Sequence, residues 1–331
     1  ALERLLSTPE LGDKSWIWRQ YDHSVRGNTV IGPGGDAALL RIKGTSFGLG
    51  LTCDVNPVYC WLDPRTGGAQ AVAEAARNLA CVGAQPVGLT DCLNFGSPEN
   101  PAIAWQFREC VRGMAEASRA LGVPVVSGNV SFYNETEGRA VHPTPSVAMV
   151  GVADSIAAHP VSWFREPGDR VILLGDDRGE LGGSAYLRLL FSIEQGRPPA
   201  VDLEAEARLG DLLRRATLAG LLHTAHDVAE GGLLVTLAEA TFTRGLGAHL
   251  ALDGDPLSLF SETQARAVIA VAPQDADRVL ALAAEIGVPA REIGVIGGDR
   301  LEVVIGGEAI QLEVERLRTV WSTALPRALD G

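Results

Sequence analysis

The most restrictive feature of the sequence is a helix with every boundary marked. Asn100 stands at the N-cap position and Pro101 at the first helical position; Ile103, Phe107, Val111 and Met114 form an apolar stripe, and Gly122 follows the last turn. Short apolar runs flank it, Pro86 to Thr90 before an Asp91–Glu99 loop and Val123 to Val126 after, so the chain must pack strand, helix and strand in succession. Upstream, Ala69 to Val82 predicts a second helix with Val72, Ala76 and Leu79 on one face and Gly83 as its stop. Ahead of that helix, the glycine-rich turn Ile31 to Leu40 enters a hairpin whose second strand is Gly48 to Asp54. Ser146 to Val152 closes this first half as another buried strand.

Ala153 to Asp169 carries two prolines and no sustained period, which places a domain boundary there. Beyond it, strands are expected at 170–174, 248–252, 266–272 and 301–305, and helices at 184–194, 203–222, 230–243 and 274–286. This alternation reads as a mixed α/β layer domain. A chain of 331 residues is long enough for two domains, each with its own core.

Composition narrows function. A net charge of −13 argues against a nucleic-acid surface, and no apolar run approaches the ~20 residues needed to span a bilayer. Five cysteines (Cys53, Cys60, Cys81, Cys92 and Cys110) without CxxC spacing read as free thiols in a reducing cytoplasm. In that setting the acceptor patterns at Asn129 and Asn134 are incidental, although Ser127 to Gly138 otherwise looks like a turn opened for a ligand. The opening segment from Ala1, without an initiator Met, reads as a short helix feeding a linker, and the chain is expected to be a processed product or a fragment.

Four Gly-rich loops stand out: Gly32 to Ala37, Gly179 to Gly183, Ala229 to Leu233 and Ile296 to Arg300. None is a Walker A loop or a Rossmann fingerprint; the third is the best anion candidate because it opens a helix. Carboxylates at strand ends, Asp54, Asp91 and Asp227, suit Mg²⁺ held against phosphates or, equally, turn caps. The adjacent His226-Asp227 lacks an accompanying G-x-S-x-G nucleophile and does not make a hydrolase pair.

Taken together, QYDHSVRGNTV (Gln20 to Val30), DCLNFG (Asp91 to Gly96), SGNVSFYNE (Ser127 to Glu135), GELGG, HDVAEGGL (His226 to Leu233) and LFSETQ (Leu259 to Gln264) resemble, in this order, the formylglycinamide ribonucleotide amidotransferases. These are also called phosphoribosylformylglycinamidine synthases. The resemblance runs from about Trp16 to Leu317 and is to the second half of an internally duplicated synthetase, each half of which is similar to aminoimidazole ribonucleotide synthetase. It implies an α/β (α+β) fold with an N-terminal mixed sheet that pairs into a barrel on dimerisation and a C-terminal α/β sandwich. The divisions expected are a linker helix remnant over 1–15, domains over 16–153 and 170–331, and a linker over 154–169.

The resemblance further implies an ATP-dependent ligase of de novo purine synthesis that converts formylglycinamide ribonucleotide and glutamine-derived ammonia to formylglycinamidine ribonucleotide. Asp91 and Gly128 match its ATP-contacting positions, Asn129 a Mg²⁺ position and Ser131 a contact to the ribonucleotide. Those residues complete a site built mostly by the missing N-terminal half. The other implied partners are a glutaminase subunit and a small accessory subunit, and an isolated half is expected to pair with itself as a homodimer.

Departures from the pattern concern catalysis. Where the family's first half has Lys-x-Glu-x-His, this chain reads Thr52-Cys53-Asp54-Val55-Asn56, so Asn56 replaces the catalytic His; where the first half pairs Arg with a metal-binding Asp, it reads Arg77-Asn78. Neutral replacements cannot shuttle protons at pH 7. No catalytic residue is expected in this half, and a pseudo-site near Asp54, Asp227, Glu262 and Gln264 should hold structural ADP and Mg²⁺ at most. The remaining alternatives are a non-catalytic ADP/Mg²⁺-binding half and a stand-alone ATP-dependent cyclase or kinase.

Overall fold

The computed structural model describes residues 1–330 as two α/β domains, each built on one mixed sheet. In the first, six strands lie in the order β1 (Thr29–Ile31), β2 (Ala38–Arg41), β3 (Gly48–Asp54), β8 (Thr144–Ala153), β4 (Gln85–Asn94) and β5 (Val125–Ser131). Neighbours are antiparallel except β4 and β5, which run parallel because a helix connects them. The hairpin β6 (Glu135–Thr136) and β7 (Arg139–Ala140) stands apart. Within one chain this sheet is open, with β5 as an exposed edge.

Helices α3 (Pro57–Leu62), α4 (Pro64–Cys81) and α5 (Pro101–Leu121) belong to this domain, and α4 and α5 pack their buried residues into the core under one face of the sheet. The Asn100 side chain accepts from the Ala102 N–H, and Gly122 ends α5 at φ 68°, as its signals predict. The expected stripe needs one correction: Ile103, Phe107 and Met114 face the core, whereas Val111 is exposed. α5 presses small residues against α4 instead, with Cys110 and Gly113 buried at the contact.

Two boundaries differ from the sequence reading for one reason. β4 continues through Asp91 to Asn94, and Ser127 to Ser131 is strand rather than turn. Asp, Asn, Ser and Gly disfavour strands locally, but the ladder from β8 through β4 to β5 holds this polar end extended.

The second sheet has seven strands in the order β10 (Leu222–Asp227), β12 (Ala267–Val271), β9 (Arg170–Leu174), β13 (Ala290–Ile296), β11 (Ala248–Leu252), β14 (Arg300–Ile305) and β15 (Glu308–Glu313). Around it lie α6 (Ala185–Phe191), α7 (Leu203–Leu218), α8 (Gly232–Phe242), α9 (Ala276–Ile286) and α10 (Val314–Asp330). The helix expected over 203–222 stops at Leu218, because Gly220 turns at φ 68° and Leu222 already pairs with Val271. β13, β15 and α10 had no counterpart in the sequence reading.

The first residues form α1 (Leu2–Leu6), whose leucines enter the core of the second domain beside Leu317 of α10. A short α2 (Ser15–Trp18) follows. None of the described helices is long and apolar enough to cross a membrane.

The α4–α5 contact yields a direct test. A Cβ on Gly113 would lie 1.9 Å from the Arg65 carbonyl oxygen, on backbone that cannot step aside cheaply. Gly113→Ala should therefore destabilise the chain by about 1–3 kcal/mol in urea denaturation, although alanine is the better helix former by roughly 1 kcal/mol. An unchanged midpoint would show that the helices separate freely.

Candidate functional site

Where the domains meet, α4 is buried on its polar side as well as its apolar one: Gln70, Arg77 and Asn78 are almost wholly enclosed. The Arg77 guanidinium reaches into the second domain. It donates to Glu206 Oε1 of α7 at 2.5 Å, to Asp227 Oδ2 at the end of β10 at 3.2 Å, and to Gln264 Oε1 at 3.2 Å. Burial pushes the Glu206 and Asp227 carboxyls up, and Arg77 pulls both back down.

Beside this knot lies a cavity of about 910 Å³, with Asp36, Asp54, Glu74, Glu230 and Glu239 in its wall. Asp54 accepts from Asn78 Nδ2 at 2.8 Å and from the Thr52 hydroxyl. Desolvation raises its pKa to about 6, further supported by nearby Asp227 and opposed by the Thr52 and Asn78 hydrogen bonds. Glu74 is pushed well above the usual carboxylate range, first by burial, with Arg77 opposing. Two amide oxygens beside these acids, Asn78 Oδ1 and Gln70 Oε1, are buried without a donor.

Carboxylates that resist ionisation, next to orphaned carbonyl-type oxygens, form a donor set that suits a hard divalent cation. Among the described residues, the ligand atoms of Asp36, His226 and Asp227 lie within 4.8 Å of one another, and Asp54, Glu74 and Asn78 stand nearby as further oxygen donors that fit Mg²⁺. Sequence reasoning missed Glu74, and the signal was there: Glu74 and Asn78 are four apart and share a helix face, hidden because α4 was read for its apolar stripe.

The Gly-rich loops are not open cradles. Gly231 N–H at the head of α8 donates to Glu262 Oε1 at 2.7 Å, and Ala185 N–H at the head of α6 donates to the same oxygen at 2.8 Å. The Tyr59 hydroxyl donates to the other oxygen. The anion that these amides attract is thus the chain's own Glu262, whose pKa burial and neighbouring Glu230 lift to about 7 against those hydrogen bonds. Gln264 is likewise enclosed, donating to the Glu262 carbonyl at 2.9 Å while it accepts from Arg77. Of Asp54, Asp227, Glu262 and Gln264, only Asp54 lines the cavity; the other three are its supporting wall. Asn56 caps α3 through the Val58 and Tyr59 N–H groups and donates to Glu230 at 2.9 Å.

A second cluster lies further along the same row of the first sheet, two strands from Asp54: Val147 of β8 pairs with both Asp54 and Asp91. Asp91 pairs with Gly128, Cys92 with Asn129 and Asn94 with Ser131 along the β4–β5 ladder. A Cβ on Gly128 would lie 2.3 Å from Asp91 Oδ1, so the glycine makes room for that carboxylate, which desolvation raises above its ordinary pKa. Alternation puts Asp91 on the helix-covered face with Leu93, and Asn129 and Ser131 on the outer face with Cys92. Gly128, Asn129 and Ser131 therefore lie on the open edge strand β5 and Asp91 one strand in, with Asp91 on the face opposite to Asn129 and Ser131. Next to them the outer face exposes Leu51, Val87 and Val150.

Two mixed sheets, joined by a buried ionic knot beside an acidic cleft, define a two-domain AIR synthase-related architecture. The family models for the N-terminal and C-terminal domains of AIR synthase related proteins match residues 34–153 and 166–306. Within that superfamily the chain is similar to the phosphoribosylformylglycinamidine synthase PurL subunits. It is 53% identical to PurL of Moorella thermoacetica over 326 residues, 97% of this chain and 44% of that protein. Against PurL of Bradyrhizobium sp. BTAi1 it is 49% identical over 337 residues, 100% of this chain and 45% of that protein. The chain thus spans less than half the length of these relatives. In fold it is similar to T. maritima PurL complexed with FGAR, at TM-score 0.78 and 20% identity over 95% of this chain and 52% of that one.

The raised Asp54 carboxyl has a measurable consequence. Its folded pKa, about 6, lies above its ordinary value of 3.8, so the native state binds more protons and stability falls as pH rises through that window. Without added metal, Asp54→Asn should flatten this fall and raise stability at pH 7.5 by on the order of 1–2 kcal/mol. Urea midpoints between pH 4 and 8 measure it; a variant that parallels the parent throughout would show Asp54 ionising freely.

Proposed function

We propose that the chain is the second half of an ATP-dependent ligase that converts formylglycinamide ribonucleotide and glutamine-derived ammonia to formylglycinamidine ribonucleotide in purine biosynthesis. The domains we assign to it are 16–153 and 170–331, joined by 154–169. The observation that carries the reading is the open β4–β5 edge. Asp91, Gly128, Asn129 and Ser131 stand there beside an exposed apolar face, while the interior of the same chain lacks a Lys or His in the 52–56 run. Groups at an uncovered sheet edge are placed to complete a site on a partner sheet.

On this reading Asp91 and Gly128 contact ATP, the Asn129 carbonyl oxygen holds Mg²⁺, and Ser131 contacts the ribonucleotide, all across the interface with the N-terminal half. Mg²⁺ supplies charge neutralisation at phosphate oxygens when bound; Asn129 offers it a hard oxygen ligand. The internal donor set of Asp54, Glu74, Asn78 and Asp227 holds a second Mg²⁺ and a structural ADP, without turnover. That T. maritima PurL has been solved with ATP and with ADP supports nucleotide as the ligand class. Further partners are the glutaminase and small accessory subunits, and the setting is the cytoplasm. A stand-alone cyclase is disfavoured by the missing general acid/base.

Mixing the chain with the N-terminal half and a glutaminase should restore ADP release dependent on formylglycinamide ribonucleotide, whereas the chain alone should release none. Asp91→Ala in the reconstituted enzyme should lower kcat/KM by roughly tenfold or more, the scale of a lost charge-assisted contact. Full-rate turnover by the lone chain would sink the proposal; unchanged activity of the Asp91 variant would leave this half a purely structural role.

The exposed face carries a prediction of its own. Alone, the chain should pair with itself through the first sheet, whose strands then close into a barrel with those of the second copy. Val150→Asp should convert the dimer to monomer in multi-angle light scattering. A monomeric parent at micromolar concentration would count against the pairing.

A further inference from the structure

The loop that follows β5, Phe132 to Gly138, has no role in the reading above, yet it begins one residue after Ser131 and folds back onto the end of β4. Phe132 anchors it: its ring meets the edge of Phe107 of α5 at 5.1 Å, and Phe107 meets the edge of buried Phe95 at 5.3 Å. The backbone then turns through Tyr133, a bulky residue held at φ 62° with its side chain exposed. An aromatic L residue adopts that conformation only where its surroundings impose it. The constraint here is main-chain bonding to the end of β4. Tyr133 N–H donates to the Gly96 carbonyl and Asn134 N–H to the Phe95 carbonyl, both at 3.1 Å, while Phe95 N–H donates to the Ser131 carbonyl at 3.0 Å.

This turn delivers the side chain of Asn134. Its Nδ2 donates to the Ser131 carbonyl at 2.8 Å and to the Phe95 carbonyl at 3.1 Å. Both partners can only accept, so the amide has one orientation, with its NH2 end toward them and Oδ1 left to accept from the Ser131 hydroxyl. Ser131 Oγ lies 3.3 Å from that Oδ1 and 3.2 Å from Nδ2. One amide thus holds Ser131 by its main chain and its hydroxyl together, and joins the Asp91–Gly96 and Ser127–Glu135 motifs at their ends. Without it the hydroxyl would sample the staggered positions open to a serine side chain.

We propose that Asn134 is a positioning residue for substrate recognition: set in place by the Tyr133 turn, it orients the Ser131 hydroxyl toward the ribonucleotide. The inference rests on the reading that Ser131 contacts that substrate. A preset hydroxyl makes its hydrogen bond without losing rotamer freedom on binding, so the contribution falls on affinity for the ribonucleotide rather than for ATP.

Steady-state kinetics of the chain reconstituted with the N-terminal half and a glutaminase test it, with formylglycinamide ribonucleotide and ATP varied in turn. Asn134→Ala should raise KM for the ribonucleotide about three- to tenfold, the scale of one hydrogen bond, and change KM for ATP by less than about twofold. Asn134→Gln, which keeps the amide but displaces it, should fall between parent and alanine. The deciding measurement is the double variant: once Ser131→Ala has removed the hydroxyl, Asn134→Ala should add no further loss. Near-UV circular dichroism identifies a variant that has lost its fold, and the glutamine variant in the same cycle then decides. Additive losses in the double variant, or equal rises in both KM values, overturn the positioning role and leave Ser131 as a substrate contact. An unchanged ribonucleotide KM in Ser131→Ala overturns the reading of Ser131 and the positioning role with it.

Discussion

One guanidinium holds the two domains in a single frame. Arg77 leaves α4 of the first domain and satisfies acceptors from α7, β10 and the segment before β12 of the second, all out of contact with water. Burying such a group is expensive in itself, and its carboxylate partners return that cost only because their geometry is fixed by surrounding secondary structure. The asymmetry is what matters for the fold. Removing one member of a buried pair costs about 3–5 kcal/mol, whereas the assembled set is close to neutral against an apolar packing. The knot therefore contributes specificity of domain placement more than net stability, and the cleft beside it inherits that placement.

Glu262 does for the heads of α6 and α8 what Arg77 does for the acids. Two backbone N–H groups and the Tyr59 hydroxyl converge on one carboxylate, and Tyr59 belongs to the first domain. Positive helix ends that would otherwise attract solvent anions are instead neutralised from within. The same contact ties α3 to the second domain, so that cross-domain bonding surrounds the cleft on two sides. A loop rich in glycine is here a means of bringing backbone close to a side chain of the same protein.

Much of this was legible in the sequence, and the failures share a cause. α5 was readable from Asn100, Pro101 and Gly122 because capping is local chemistry, and β11 and α9 because their patterns are periodic. The polar ends of β4 and β5 were not readable, since Asp91 to Asn94 and Ser127 to Ser131 are extended only by their neighbours' ladders. Asp54 and Asp227 stood out as carboxylates at strand ends. Glu206 and Asp36 did not, because nothing in a single helix or turn announces that its polar residues will be enclosed by another domain; Glu74 carried a signal only in its four-residue spacing from Asn78. Motif order supplied the family; only the fold supplies the burial that turns ordinary acids into perturbed ones.

That perturbation argues for what the cleft is for. Asp54, Glu74, Asp227 and Glu230 are all displaced upward, chiefly by desolvation, and Arg77 offsets only part of it for the first three, as Arg188 does for Glu230. Evolution to a sealed, inert interior would be expected to replace such groups with apolar ones, which is often neutral or stabilising. On the proposed reading the Lys, the His and one acid of the related half-site are replaced by neutral Thr52, Asn56 and Asn78, while Asp54 and Asp227 keep their carboxylates. Loss of proton-shuttling groups with retention of oxygen ligands is the combination that keeps cation affinity and discards turnover. A divalent ion would satisfy Asn78 Oδ1 and Gln70 Oε1 and return the carboxylates to their charged forms, so occupancy of the cleft would stabilise the interface between the two domains.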